Sequence, residues 1–177
     1  MGTINRYPPV KYFAAITYST DFSIKSISHF LEKEISQIEG HSQSFDFSKF
    51  TDYYSTEMGT KLQKEIITFE ELKPADLLPK IKIATNTIEA KFLIAENRQV
   101  NIDPGYVCAA KVILATTKDY DHRLYLGEGI FGDVHLRFQK GKFNVCDWTY
   151  PDYRQPMILD FFNDIRKNYL TQLQSWF

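Results

Sequence analysis

The sequence predicts a single α+β domain, and three observations predict it. Runs rich in β-branched and aromatic residues recur along the chain, as strands require. Three other segments place apolar residues at helical spacing. These units also succeed one another in the order β-α-β-β-α-β, without the strict alternation of a doubly wound parallel sheet. That order is the split βαβ arrangement of a ferredoxin-like core, here extended by a further hairpin and a C-terminal helix.

Each element has its own justification. "VKYFAAITYS" (residues 10–19), after Pro8-Pro9, is a buried central strand. Asp21 or Ser23 can cap a helix over 24–35, with Ile24, Ile27, Phe30, Leu31 and Ile35 on one face. "HSQSFDFS" alternates as a strand ending near Phe47, and "KFTDYYSTEMGT" is a loop or short helix. "KLQKEIITFEEL" is the next strand. Pro74 suits the first turn of a helix over 74–95, where Pro79 falls early enough not to break it. "RQVNIDPGY" is a strand stopped by the turn signal Pro104-Gly105. "VCAAKVILATTK" mixes alanines with Val112 and Ile113 and is assigned to a helix after that turn. Residues 122–142 form a hairpin, "WTYPDYR" is an aromatic loop, and a last helix covers 155–173.

At 177 residues, one domain spanning 1–177 is expected, large enough to bury about two-thirds of its unfolded surface. A formal net charge of −1 supplies no field to gather DNA or an anionic membrane. No run approaches the roughly 18 apolar residues of a membrane helix, and no secretory leader is recognised. Cys108 and Cys146 lack CxxC partners, and two such cysteines are expected as free buried thiols in a cytoplasmic protein.

Several clusters carry chemistry. Gly127-Glu128-Gly129-Ile130-Phe131-Gly132 matches G-x-G-x-x-G, but a strand-like "DVHLRFQ" follows it instead of a helix. The glycines therefore belong to a hairpin, and no phosphate-binding helix N-terminus is expected there. Lys118, His122 and Arg123 collect at a presumed strand start, where they could hold a phosphate or carboxylate, with arginine binding it bidentately. His122, flanked by acids and bases, is the candidate general acid or base. Asp103 at a strand end could orient a hydroxyl, a metal or a water, and it shares the catalytic assignment with His122. Asp52, Tyr54, Tyr150, Asp152, Tyr153 and Arg154 complete the candidate ligand-binding set, because loops mixing tyrosine with charge can stack a flat ring, and Lys111 joins the set as a further cation. Asp103 and His122 have no third residue at metal-ligand spacing, so no metal site is assigned, and no motif specifies a cofactor.

"FDFSKFTDYYSTEMG", "VNIDPGYV", "AKVILATTKDYDHRLYLGEGI" and "WTYPDYR" together resemble the bacterial family catalogued as domain of unknown function 4416. The resemblance covers nearly the whole chain and implies a single-domain bacterial cytosolic protein. Some members carry a GTP-binding label, for which this chain offers neither a P-loop nor N/T-K-x-D, since Tyr120 stands where the acid should be. No catalytic residue follows from the family. The leading expectation is a protein that binds an anionic, phosphorylated or nucleotide-like small molecule, with catalysis left open. A non-enzymatic interaction module using aromatic surface loops is the second expectation, and single-stranded RNA binding the third.

Overall fold

The computed structural model describes residues 2 and 6–176. Its strands are β1 (Val10–Ser19), β2 (Ile38–His41), β3 (Phe45–Asp46), β4 (Leu62–Lys73), β5 (Leu93–Ile94), β6 (Asn97–Arg98), β7 (Val100–Val107), β8 (Lys111–Thr116), β9 (Arg123–Gly127), β10 (Ile130–Gln139) and β11 (Lys142–Val145). Its helices are α1 (Ile24–Glu34), α2 (Ser55–Met58), α3 (Leu78–Glu89) and α4 (Pro156–Gln174). Together they make a mixed α/β fold on an antiparallel sheet ordered β11-β10-β8-β7-β1-β4-β2, with β3 added to β4 and β9 added to β10. β5 and β6 form a separate ribbon.

Strand β1 organises both layers because every one of its residues is buried. Period-2 alternation sends Tyr12, Ala14 and Ile16 towards Ile27 and Leu31 of α1 and Leu78, Ile81 and Ile88 of α3. Phe13 and Ala15 point the other way, into a second cluster with Ile158, Phe162 and Ile165 of α4. One sheet thus carries two helices on one face and one on the other.

Two predicted elements are corrected. Residues 111–116 are strand β8, not a helix: the run pairs with β7 on one side and β10 on the other, and that pairing overrides the local helix preference of its alanines. Pro104-Gly105 is no turn either, since both residues lie inside β7. Pro104 has the same strand phase as Ile102, whose N–H and C=O point away from β1, so its missing N–H costs the β1 ladder nothing. Gly105 is required by close approach: a Cβ there would lie 2.3 Å from the Ile113 carbonyl oxygen and 2.6 Å from the Phe13 ring. The third helix is shorter than predicted, with 3₁₀ turns at Ala75–Leu77 and Ala90–Phe92 bracketing α3. Ala95 and Glu96 take positive φ and turn the β5–β6 ribbon. "HSQSFDFS" holds the end of β2 and all of β3, and Ser42 between them exchanges bonds with the backbone of Ile66. Gly127, Glu128 and Gly129 all take positive φ in the turn from β9 to β10.

Cys108 and Cys146 are both free and buried. Among the described residues no helix is long and apolar enough to cross a membrane.

Candidate functional site

The site begins with a split in the sheet. β7 and β8 pair only from Gly105↔Leu114 to Val107↔Val112. Beyond Pro104 they part, and the freed backbone of Ile102 is taken up by α3: Glu89 accepts its N–H at 2.7 Å and Lys82 donates to its C=O at 2.8 Å. The gap becomes a cavity of about 560 Å³. Asn101 and Asp103 of β7 line one side, Thr116, Thr117 and Lys118 at the end of β8 the other. The floor is a cross-strand row, Lys64 of β4 beside Thr17 of β1 beside Asn101 of β7. Tyr150, Pro151 and Asp152, just before α4, cover one flank, while Phe47, Phe50, Tyr53 and Tyr54 come from the β3–β4 connection.

Most charges in this wall are already engaged. Lys64 donates to Asp152 at 2.6 Å, and its ammonium lies 4.9 Å from the ring centres of Phe47 and Tyr153. Arg98 grips Glu57 with two bonds of 2.6 and 2.8 Å and reaches Glu89 and Asn101 with Nη1. That fork holds the Glu57 carboxyl below the usual carboxylate range, against a smaller effect of burial. Burial pushes Glu89 up, opposed by Lys82 and by the Ile102 N–H. Arg123 works as a clamp: Nε donates to Asp133 (3.2 Å), Nη1 to the Lys118 carbonyl (3.0 Å), and Nη2 to the Tyr150 hydroxyl (3.1 Å). Among the described residues, Lys118 is the one lining cation with no carboxylate partner; its Nζ bonds the Tyr53 hydroxyl at 2.7 Å across the cavity mouth. Burial pushes the Tyr150 phenol up to about 12 and raises Tyr54 as well, so both are neutral donors at physiological pH. No group of three or more His, Cys, Asp or Glu side chains suited to a metal ion occurs among the described residues.

Of the residues singled out from the sequence, Asp103, Lys118, Arg123, Tyr54, Tyr150 and Asp152 line this one cavity. The others lie elsewhere. His122 stacks on Trp148, with ring centres 4.8 Å apart, and directs Nε2 to Asp133. Tyr153 is buried beside Phe162, and Arg154 donates to the carbonyls of Thr149 and Asp147. Asp52 accepts the Ser55 N–H through its backbone carbonyl. Lys111 sits at the opposite end of β8, across from Arg137.

Thr17, Lys64, Lys82, Asn86, Glu89, Arg98 and Asn101 were not anticipated from the sequence. For two of them a signal exists: Lys64 falls in phase with Leu62 and Ile66, and Lys82 with Leu78 and Ile81. Asp133 and His135 show the same signature in β10, where two polar residues occupy the buried phase.

Behind the cavity wall, His135 has a defined tautomer. The Tyr150 N–H can only donate, so Nε2, 3.1 Å away, carries the lone pair and Nδ1–H donates to Asp133 at 3.2 Å. Burial holds His135 below the ordinary imidazole value of 6.5, outweighing Asp133. Below about pH 6.5 the unfolded chain therefore takes up a proton that the folded chain refuses, and stability falls with decreasing pH by up to about 1.4 kcal/mol per unit. His135→Gln keeps one donor and one acceptor, and chemical denaturation between pH 7 and 5 is expected to show a flatter slope for it than for the wild type. Equal slopes would remove His135 as the cause.

No curated protein and no solved structure matches the chain. Residues 8–169 match the model of the family described as Domain of unknown function (DUF4416), which spans every strand of the sheet and all but the last turns of α4. The chain belongs to that family.

Proposed function

We propose that the β7–β8 cavity binds a small anionic molecule carrying a flat ring, of phosphorylated or nucleotide-like chemistry. The observation that carries this reading is Lys118, a cation at the mouth with no carboxylate partner among the described residues, bonded to Tyr53 in a cavity that Thr116, Thr117, Tyr120 and Tyr150 also line. Charge-assisted donors of this kind recognise phosphate or carboxylate, and tyrosine faces accept a planar ring. A volume of about 560 Å³ falls within the ~300–1,000 Å³ of small-molecule pockets. The Tyr150 hydroxyl accepts from Arg123, which leaves its own proton for a ligand acceptor. Thermal-shift screening of nucleoside monophosphates and sugar phosphates tests the reading. Binding raises the melting temperature, and Lys118→Ala weakens it about tenfold, the worth of one bond to a charged group. No stabilisation by any anion at millimolar concentration rules the reading out.

A second reading, an interaction surface, is favoured by β9. Leu124, Tyr125 and Leu126 are 70%, 64% and 42% exposed on a strand paired on one side only, more apolar surface than a lone outer strand commonly shows. For the fold, we read β7-β1-β4-β2 with α1 and α3 as a ferredoxin-like core. Supporting this are the antiparallel order of those four strands and the packing of both helices in one cluster.

A further inference from the structure

We infer that the ligand is a polyol as well as an anion: the β7 wall takes paired hydroxyls at Asp103 while the β8 wall takes the negative group at Lys118. The inference rests on the anion-binding reading and adds the chemical class.

The two walls of the split differ in kind. On the β8 side stand hydroxyls and cations, with Thr116, Thr117, Lys118 and Arg123. On the β7 side stands a carboxylate open to the cavity. Asp103 keeps 27% of its side chain exposed, against 6% for Glu89 and 5% for Asp152. A phosphate facing Asp103 would meet like charge, so this wall selects donors instead.

Asp103 is also held in place. Its Oδ2 accepts from the Asn101 amide at 2.9 Å, and its Oδ1 lies 3.5 Å from Lys82 Nζ. The orientation of Asn101 follows from Arg98, whose Nη1 donates to Asn101 Oδ1 at 3.2 Å and so turns the amide nitrogen towards Asp103. Arg98 is in turn fixed by the two-bond grip on Glu57. This chain of contacts sets the carboxylate's rotamer before any ligand arrives, which is how supporting residues sharpen a recognition group. An ionised carboxylate has about four acceptor positions, and two are used here. The remaining two suit a pair of neighbouring hydroxyls. Asn86, one turn from Lys82 on α3, adds an amide to the same wall.

A phosphorylated ribose-like sugar matches this bipolar cavity, with the diol at Asp103 and the phosphate at Lys118. Nucleoside monophosphates are the members of that class that also use the tyrosines.

Titration calorimetry on the full chain compares ribose 5-phosphate, 2-deoxyribose 5-phosphate and inorganic phosphate. The ribose sugar is expected to bind about tenfold more tightly than the deoxy sugar, the worth of one hydroxyl bonded to a charged acceptor. Asp103→Asn should reduce that preference to within about threefold, because the amide offers one acceptor oxygen in place of two. Equal affinity for the two sugars, or an unchanged preference in Asp103→Asn, overturns the polyol assignment and leaves anion binding standing. Absence of binding by all three probes and by a nucleoside monophosphate overturns both. The wild-type comparison needs no variant, so an unfolded Asp103→Asn does not blunt it.

Discussion

Asp133→Ala is expected to lower stability by about 3–5 kcal/mol, the usual cost of leaving one partner of a buried ion pair alone. Asp133 is 1% exposed and accepts from three side chains: Arg123 Nε at 3.2 Å, His135 Nδ1 at 3.2 Å and His122 Nε2 at 3.3 Å. Removing it leaves the Arg123 guanidinium, itself 2% exposed at the side chain, facing no carboxylate, and leaves the His135 N–H without an acceptor. For a domain of this length the melting temperature should fall by roughly 6–20 °C. Burial pushes the Asp133 carboxyl up, but His135 and Arg123 together outweigh it and hold the group below its ordinary value of 3.8. The stability it contributes is therefore fully present above that value and is lost as pH falls through the lower folded-state one. A loss below about 1 kcal/mol in Asp133→Ala would show that the cluster is slack. Because Arg123 also bonds the Lys118 carbonyl and the Tyr150 hydroxyl, the same change should loosen the β8 wall and the Tyr150 flank of the cavity.

Asp152→Ala is expected to have an effect of similar size for a related reason. Lys64 and Asp152 are 3% and 5% exposed at the side chain, and their 2.6 Å bond joins β4 to the turn before α4 across 88 residues of sequence. Alone, the Lys64 ammonium would retain only the faces of Phe47 and Tyr153, which recover a fraction of the lost attraction. A loss of about 3–5 kcal/mol is expected for the single change. The double change Lys64→Met with Asp152→Val removes both charges and should recover most of it, since buried pairs are often replaceable by apolar groups at little cost. Urea denaturation of the two variants decides the matter. If the double variant is as unstable as the single one, the pair is needed for more than charge balance.

How far the sequence could be read follows from what each residue's neighbours do. Strand β1 was legible because burial on both faces demands a largely apolar run, and "VKYFAAITYS" is one apart from Lys11, Thr17 and Ser19. The last helix was legible because Ile158, Phe162, Ile165 and Tyr169 repeat at helical spacing against one face. The β7–β8 pair was misread because its information is not local. Pro104-Gly105 signals a turn in isolation; only the parting of β8 makes a proline harmless there, and only Phe13 and the Ile113 carbonyl demand the glycine. The same non-local event creates the cavity, so Lys82, Glu89 and Asn101 could not be grouped from spacing alone. Lys118, Tyr150 and Asp152 were found because they sit in charged or aromatic connections, the kind of segment that lines clefts, and Arg123 because it opens the strand after one. His122 stood among the same residues, yet its ring turned to Trp148 and Asp133.

The most direct test of ligand binding between β7 and β8 is a two-dimensional amide NMR titration of the full chain with a nucleoside monophosphate. Resonances of Thr17, Asn101, Asp103, Thr116, Lys118, Tyr120 and Asp152, which line the cavity, are predicted to shift together and saturate along one binding curve. A spectrum unchanged at millimolar ligand, or shifts confined to Leu124, Tyr125 and Leu126 on β9, would contradict the account.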